Sequence, residues 1–198
     1  MSRIHLLMEE KRYLAHADIR RWIRSAPDIG KTLANPFFSA DELPNQIQSL
    51  IRPYTELIAP DSRKLKVRNE KFVEWALDYY DELFGKLEKY PLTDEQRRSA
   101  VINEDRNLLI AAAGSGKSST IIAKVAYLVE SGLAKTSDIL VLAYNKDAQL
   151  EIDERLQNLK GTVANFKRPI KAKTFHSLGL EIIANVEGEK PRLWKVFA

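Results

Sequence analysis

The sequence predicts an α/β fold preceded by an all-helical unit, and three observations carry that prediction. First, the apolar run Leu108 to Ala113 passes into Gly114-Ser115-Gly116-Lys117-Ser118 and then into the helix-like SSTIIAKVAYLV. This is the strand, glycine turn and helix of a phosphate-binding loop. Second, helix-like and strand-like stretches alternate from Leu92 onward, the pattern of a parallel sheet covered on both faces. Third, the first 90 residues show helical periodicity alone and no recognisable chemistry. The expected organisation is a helical extension over 1–90 and a sheet-and-helix domain over 91–198.

In the extension, Ile4, Leu7, Leu14, Ile19, Trp22 and Ile23 recur at helical spacing, so residues 3–25 read as one amphipathic helix that stops before Pro27. Asn35 to Phe38 read as a turn. Ser39-Ala40-Asp41-Glu42 has the form of a capping box opening a helix with Ile47, Leu50, Ile51 and Tyr54 on one side, which Pro53 kinks or splits. The basic stretch DSRKLKVRNEK reads as a loop; its cations Arg63, Lys64, Lys66, Arg68 and Lys71 could touch phosphates, and a solvated face is the favoured reading. Phe72, Ala76, Tyr79, Tyr80, Leu83 and Leu87 then form a broad helical apolar face ended by Pro91. Trp22 and Trp75 are expected in the core.

In the second part, Thr93 to Gln96 open a helix through Val101, and the glycine turn with its strand and helix follows. Ile139 to Tyr144 read as a second buried strand, 146–159 as a helix, Ala172 to Phe175 as a short strand and 176–184 as a helix.

A content of 44% hydrophobic residues suffices for a packed core, and a formal charge of +4 permits nucleic acid as a partner without demanding it. With no cysteine there are neither disulfides nor thiolate metal sites, and three scattered His make a metal centre an unfavoured reading. The first residues put charges where a signal peptide needs an apolar core, and no run approaches a membrane span. A cytosolic protein with no membrane partner is expected.

The glycine turn carries the clearest chemistry. Glycines let the backbone turn tightly and present N–H groups to phosphate oxygens, and the helix N-terminus adds partial positive charge. Lys117 is placed to lie against the β- and γ-phosphates, and Ser118 to offer its hydroxyl to Mg²⁺. Ala111 stands where the general pattern has its first Gly.

Four stretches between residues 92 and 183 together resemble the N-terminal part of the first motor domain of UvrD/Rep-type superfamily 1 DNA helicases, the helicase IV branch most of all. LTDEQRRSAV (92–101) is similar to the family's Q motif, AAAGSGKSS (111–119) to its P-loop, LAYNKDAQLEIDERL (142–156) to motif Ia, and KTFHSLGLEII (173–183) to motif Ib. The resemblance implies a P-loop NTPase (RecA-like) parallel sheet. It also implies an ATP site of Gln96, Ala112, Ala113, Gly114, Ser115, Gly116, Lys117, Ser118 and Ser119, with Mg²⁺ on Ser118. Gln96 corresponds to the glutamine that reads adenine, and a capping box with Thr93 accounts for it equally. Ala112 replaces a usual Gly. Tyr144, Asn145, Lys146 and Ala148 in motif Ia, and Thr174, Phe175 and His176 in motif Ib, correspond to positions along single-stranded DNA. Glu151 and Arg155 read as an exposed ion pair one helical turn apart.

The family's acidic Walker B motif and second motor domain have no counterpart in these 198 residues, so the sheet is expected to be incomplete, with three strands, and hydrolysis to need further segments. The expected function is the ATP-binding front of a DNA helicase or translocase. A nucleotide-binding module whose helical unit docks on a protein partner, without turnover of its own, is the alternative. A small P-loop kinase is disfavoured because the loop leaves few residues for a lid and an acceptor site.

Overall fold

The computed structural model describes residues 7–25, 32, 35, 37–59, 62–112, 114–189 and 191. Two compact units result: Met1–Asp81 with Val101–Ala111, and Glu82–Ala100 with Ala112–Ala198.

The first unit is helical, with a turn of helix at 7–9, then α1 (His16–Ser25), α2 (Asn45–Ile58) and α3 (Arg63–Tyr79). Its core gathers Leu7, Leu14, Ile19, Ile23, Leu57 and Leu65, with Met8 and Trp22 against it. Trp22 stacks on Tyr54 at 5.8 Å. The single helix expected over 3–25 is interrupted at 10–15, and Ile4 lies outside the described residues. Tertiary bonds cause the break. Buried Asn69 on α3 donates from Nδ2 to the Leu14 carbonyl at 2.9 Å and accepts the Leu14 N–H at 3.1 Å. The Arg68 guanidinium donates to the carbonyls of Met8, Glu10 and Arg12. A backbone whose donors and acceptors are taken by another helix cannot also form its own ladder.

Four further expectations in this unit are corrected. The helix expected from Ser39 begins only at Asn45, after a 3₁₀ turn at Ala40–Glu42, with Pro44 as an extended N-cap (ψ 141°); a proline there disfavours helical backbone at the residue before it. It then continues unbroken across position 53, where a proline removes one ladder bond without ending the helix. The basic stretch from Arg63 is helical rather than a loop: Ser62 is an N-cap whose Oγ accepts the Leu65 N–H at 3.1 Å. Trp75 is 38% exposed, in a surface cluster with Tyr79 at 4.9 Å and Phe72 at 5.6 Å, instead of in the core. The segment following Val101 is tied to the start of α1: Glu104 accepts from the Tyr13 hydroxyl at 3.2 Å and the His16 N–H at 3.3 Å, and Asp105 from the Ala17 N–H and Arg20. Carboxylates suit a helix N-terminus. Burial, with Glu104 adding to it, pushes the Tyr13 phenol up to about 12.

The apolar periodicity from Phe72 to Leu87 is divided, since α3 ends at Tyr79 and a short helix α4 (Asp81–Gly85) follows. In the second unit Leu83 and Leu87 pack beside a core formed by Ile122, Val125, Ala126 and Val129 of α6 (Lys117–Glu130), Ile152 and Leu156 of α7 (Lys146–Asn158), and Val141 and Ala143. The unit also holds α5 (Asp94–Val101), β1 (Leu142–Ala143), β2 (Lys173–Thr174) and α8 (Phe175–Glu187). Strands β1 and β2 are parallel, pairing Leu142 with Lys173 and Ala143 with Thr174. The α/β character is therefore present in a small sheet, which among the described residues has two strands.

The buried strand expected at 108–113 is not formed. Residues 108–112 lie outside the sheet, Leu108 and Ile110 are each 85% exposed, and Ala113 falls outside the described residues. A strand apolar on both faces is stabilised only where sheet neighbours and covering helices complete it, and the β1–β2 pair does not extend to this segment. The expected strand at 139–144 likewise contracts to two residues.

Within α6, burial pushes the Lys124 ammonium down to about 8. Its unfolded value is about 10.4, so between those values the unfolded chain binds more protons and stability rises with pH. Below pH 8 holding this half-buried ammonium charged costs most. Lys124→Met is expected to stabilise the second unit by about 1–2 kcal/mol at pH 7. Denaturant melts should show that gain shrinking towards pH 10; an equal gain at both pH values would contradict the assignment.

Candidate functional site

The loop before α6 is shaped by two glycines with left-handed backbones, Gly114 (φ +75°) and Gly116 (φ +81°), and Gly116 is the N-cap of α6. A Cβ on Gly116 would also stand 2.3 Å from Nε2 of Gln96. The left-handed backbone is what selects glycine, since the end of the Gln96 side chain can move aside. Gln96, on α5, donates from Nε2 to the Ser115 carbonyl at 3.0 Å, accepts the Thr93 N–H on Oε1 at 2.9 Å, and completes the box by donating its own N–H to Thr93 Oγ1. The capping role and the approach to the loop coexist.

The Ala112 carbonyl is the loop's internal anchor. It accepts from the Ser115 N–H at 3.3 Å, the Ser115 hydroxyl at 2.7 Å and Lys117 Nζ at 2.6 Å. Lys117 is exposed, while Ser118 and Ser119 are half-buried in the first turn of α6. Thr120 Oγ1 donates to the Gly116 carbonyl at 3.1 Å, tightening that turn.

The pair of Arg155 with Glu151 that the sequence spacing predicts is present at 2.8 Å. The same guanidinium also donates to Ser119 Oγ at 3.1 Å and meets Glu88 at 3.4 Å. It thereby supports the helix that starts at the glycine loop. Nothing in the local pattern points to this role, because its partners are 36 and 67 residues away.

The other predicted residues meet at the C-terminal ends of the two strands. The parallel register sets Tyr144 and Phe175 each one position beyond the pair Ala143 and Thr174, and they are 92% and 65% exposed. Each strand turns into a helix through a cap. Asn145 Oδ1 accepts the Ala148 N–H at 2.8 Å, and Thr174 Oγ1 accepts the Ser177 N–H at 3.1 Å. Lys146 reaches Gln149 at 3.1 Å, and His176 is exposed. Asp153 accepts the Ala172 N–H at 2.6 Å, holding α7 to the approach of β2. Two aromatic faces and several polar groups thus share one edge, an arrangement able to stack bases and contact a sugar-phosphate chain.

Among the described residues there is no cluster of three or more His, Asp or Glu able to hold a metal, and no helix is long and apolar enough to cross a membrane.

Comparison with known proteins places this site in context. Residues 92–190 match the UvrD/REP helicase N-terminal domain. The chain is 35% identical over 128 residues to DNA helicase IV of Escherichia coli, covering 65% of this chain and 18% of that protein. It is 30% identical over 94 residues to DNA helicase II of Rickettsia typhi (48% and 14%) and 35% identical over 91 residues to ATP-dependent DNA helicase UvrD1 of Mycobacterium tuberculosis (46% and 11%). The chain therefore spans less than a fifth of the length of these curated relatives. No solved structure matches. With the matched segment running from α5 through the glycine loop and both strand ends to the end of α8, the chain belongs to the UvrD/REP helicase N-terminal domain family.

Proposed function

We propose that residues 91–198 are the nucleotide-binding front of an ATP-dependent DNA helicase or translocase, built on a P-loop NTPase (RecA-like) sheet and acting on single-stranded DNA in the cytoplasm. The observation that carries this reading is the family match over 92–190, which contains a glycine loop with two left-handed glycines directly at a helix N-terminus. The loop suits a triphosphate: Gly114 and Gly116 hold left-handed backbones that a side chain would strain, and α6 is 14 residues long, enough to supply N–H groups and partial charge at its start.

Lys117 and the Ser115 hydroxyl exchange the Ala112 carbonyl for phosphate oxygens, while Gly114, Gly116 and Ser119 supply loop and first-turn backbone. Gln96 exchanges the Ser115 carbonyl for adenine, linking base recognition to loop opening. Ser118 offers its hydroxyl to Mg²⁺, which when bound screens charge on the transferring phosphoryl group. At the strand ends Tyr144 and Phe175 stack on bases, and Asn145, Lys146, Thr174 and His176 contact sugar and phosphate. Hydrolysis and unwinding, in this proposal, need an acidic Walker B motif and a second motor domain, which have no counterpart in these 198 residues.

The joint variant Tyr144→Ala/Phe175→Ala is expected to bind a thymidine oligonucleotide at least about 30-fold more weakly by fluorescence anisotropy, given about 1–3 kcal/mol for each of two stacked bases. ATP affinity should not change. Unaltered oligonucleotide binding would remove the strand ends from the DNA path.

A further inference from the structure

The first unit carries a groove of about 420 Å³ along the outer face of α3, with Lys11, Lys64, Val67, Lys71, Phe72 and Trp75 in its wall. Lys64, Val67, Lys71 and Trp75 follow one another at helical spacing, so one face of α3 offers two ammonium groups and then an indole. Trp75 stacks on Tyr79, which is 65% exposed, extending the aromatic surface past the groove. Among the described residues, Lys11, Lys64 and Lys71 enter no ion pair. Glu10, the acid in this wall, is held by Arg12 at 2.6 Å. Arg68 is committed to the backbone of residues 8–12 and lies 5.6 Å from the Phe72 ring centre, which fixes the groove floor. A rigid floor, uncommitted cations in line and an exposed aromatic stack are the parts from which sequence-tolerant binding of a single polynucleotide strand is built.

We propose that this face of α3 is a second contact surface for single-stranded DNA, with Lys11, Lys64 and Lys71 on phosphates and a base on Trp75 and Tyr79. The helical spacing that looked like a solvated charge run in the sequence aligns the cations with the aromatics. The choice of DNA over RNA rests on the function proposed above; the surface itself does not depend on the strand-end site.

The test uses the full 198-residue chain carrying Tyr144→Ala/Phe175→Ala, so that the strand-end contacts are silent. Titration with a short thymidine oligonucleotide should quench tryptophan fluorescence, and Trp75→Phe should abolish the quench. Lys64→Glu/Lys71→Glu should weaken binding about tenfold and reduce the slope of log affinity against log salt by about 1.4, the value for two phosphates on a single strand. Lys64→Arg/Lys71→Arg should bind as the parent does. Both lysines are exposed, so melting should not move. No quench from Trp75, or a quench indifferent to the charge reversal, would overturn the proposal; a protein-docking surface gives the first of these results. Tighter binding of a uridine oligoribonucleotide would overturn the assignment to DNA. Failure of the strand-end variants to weaken binding in the otherwise native chain strikes the function proposed above and leaves α3 standing.

Discussion

Lys117→Ala is expected to lower ATP affinity about 30-fold, the equivalent of about 2 kcal/mol for a hydrogen-bonded ammonium on a charged phosphate. The side chain is exposed and spans the loop to the Ala112 carbonyl at 2.6 Å, so its removal takes away one surface contact and no core. Thermal melting of the variant should stay within about 0.5 kcal/mol of the parent, as for most surface changes. Calorimetric titration with ATP and Mg²⁺ measures the first effect and a denaturant melt the second. Equal affinity in the variant and the parent would show that the glycine loop does not hold the triphosphate. Loss of affinity accompanied by an equal loss of stability would instead mean that Lys117 acts through the fold.

Asn69→Leu should give the largest loss of stability, about 3 kcal/mol. Asn69 is buried, and its amide satisfies both the N–H and the carbonyl of Leu14, itself fully buried. Leucine has a similar volume but offers neither donor nor acceptor, so two backbone groups lose their partners inside the core at about 1–3 kcal/mol each. The break between the helical turn at 7–9 and α1 depends on this amide, so loss should appear as rapid amide exchange over 10–15 as well as an earlier melt. Asn69→Asp keeps the acceptor for the Leu14 N–H and should recover part of the loss. A stable Asn69→Leu protein with protected amides at 10–15 would contradict this account of the unit. ATP affinity should not depend on it.

The glycine loop and the strand ends were legible because their chemistry is local. Two glycines before Lys117, a cap at Asn145 and a cap at Thr174 act over three or four residues, and α5, α6, α7 and α8 begin within two residues of where periodicity and caps place them. Local legibility also misled. Pro44 outweighed the capping pattern at Ser39, and Ser62 turned a presumed loop into the first turn of α3, because a helix start is decided by a few backbone bonds that several nearby residues compete to make.

The sequence alone determined the candidate chemistry: glycines where φ must be positive, a lysine and a serine at the start of a helix, and aromatics at two strand ends. Only the tertiary structure decided which amide breaks the first helix, that Arg155 braces Ser119, that Leu108 to Ile110 stay outside the sheet, and that Trp75 faces a groove with Lys64 and Lys71. The physical reason is range. Propensity and capping are set within one turn of chain, whereas burial, strand pairing and long-range hydrogen bonds depend on partners that only the folded chain brings near.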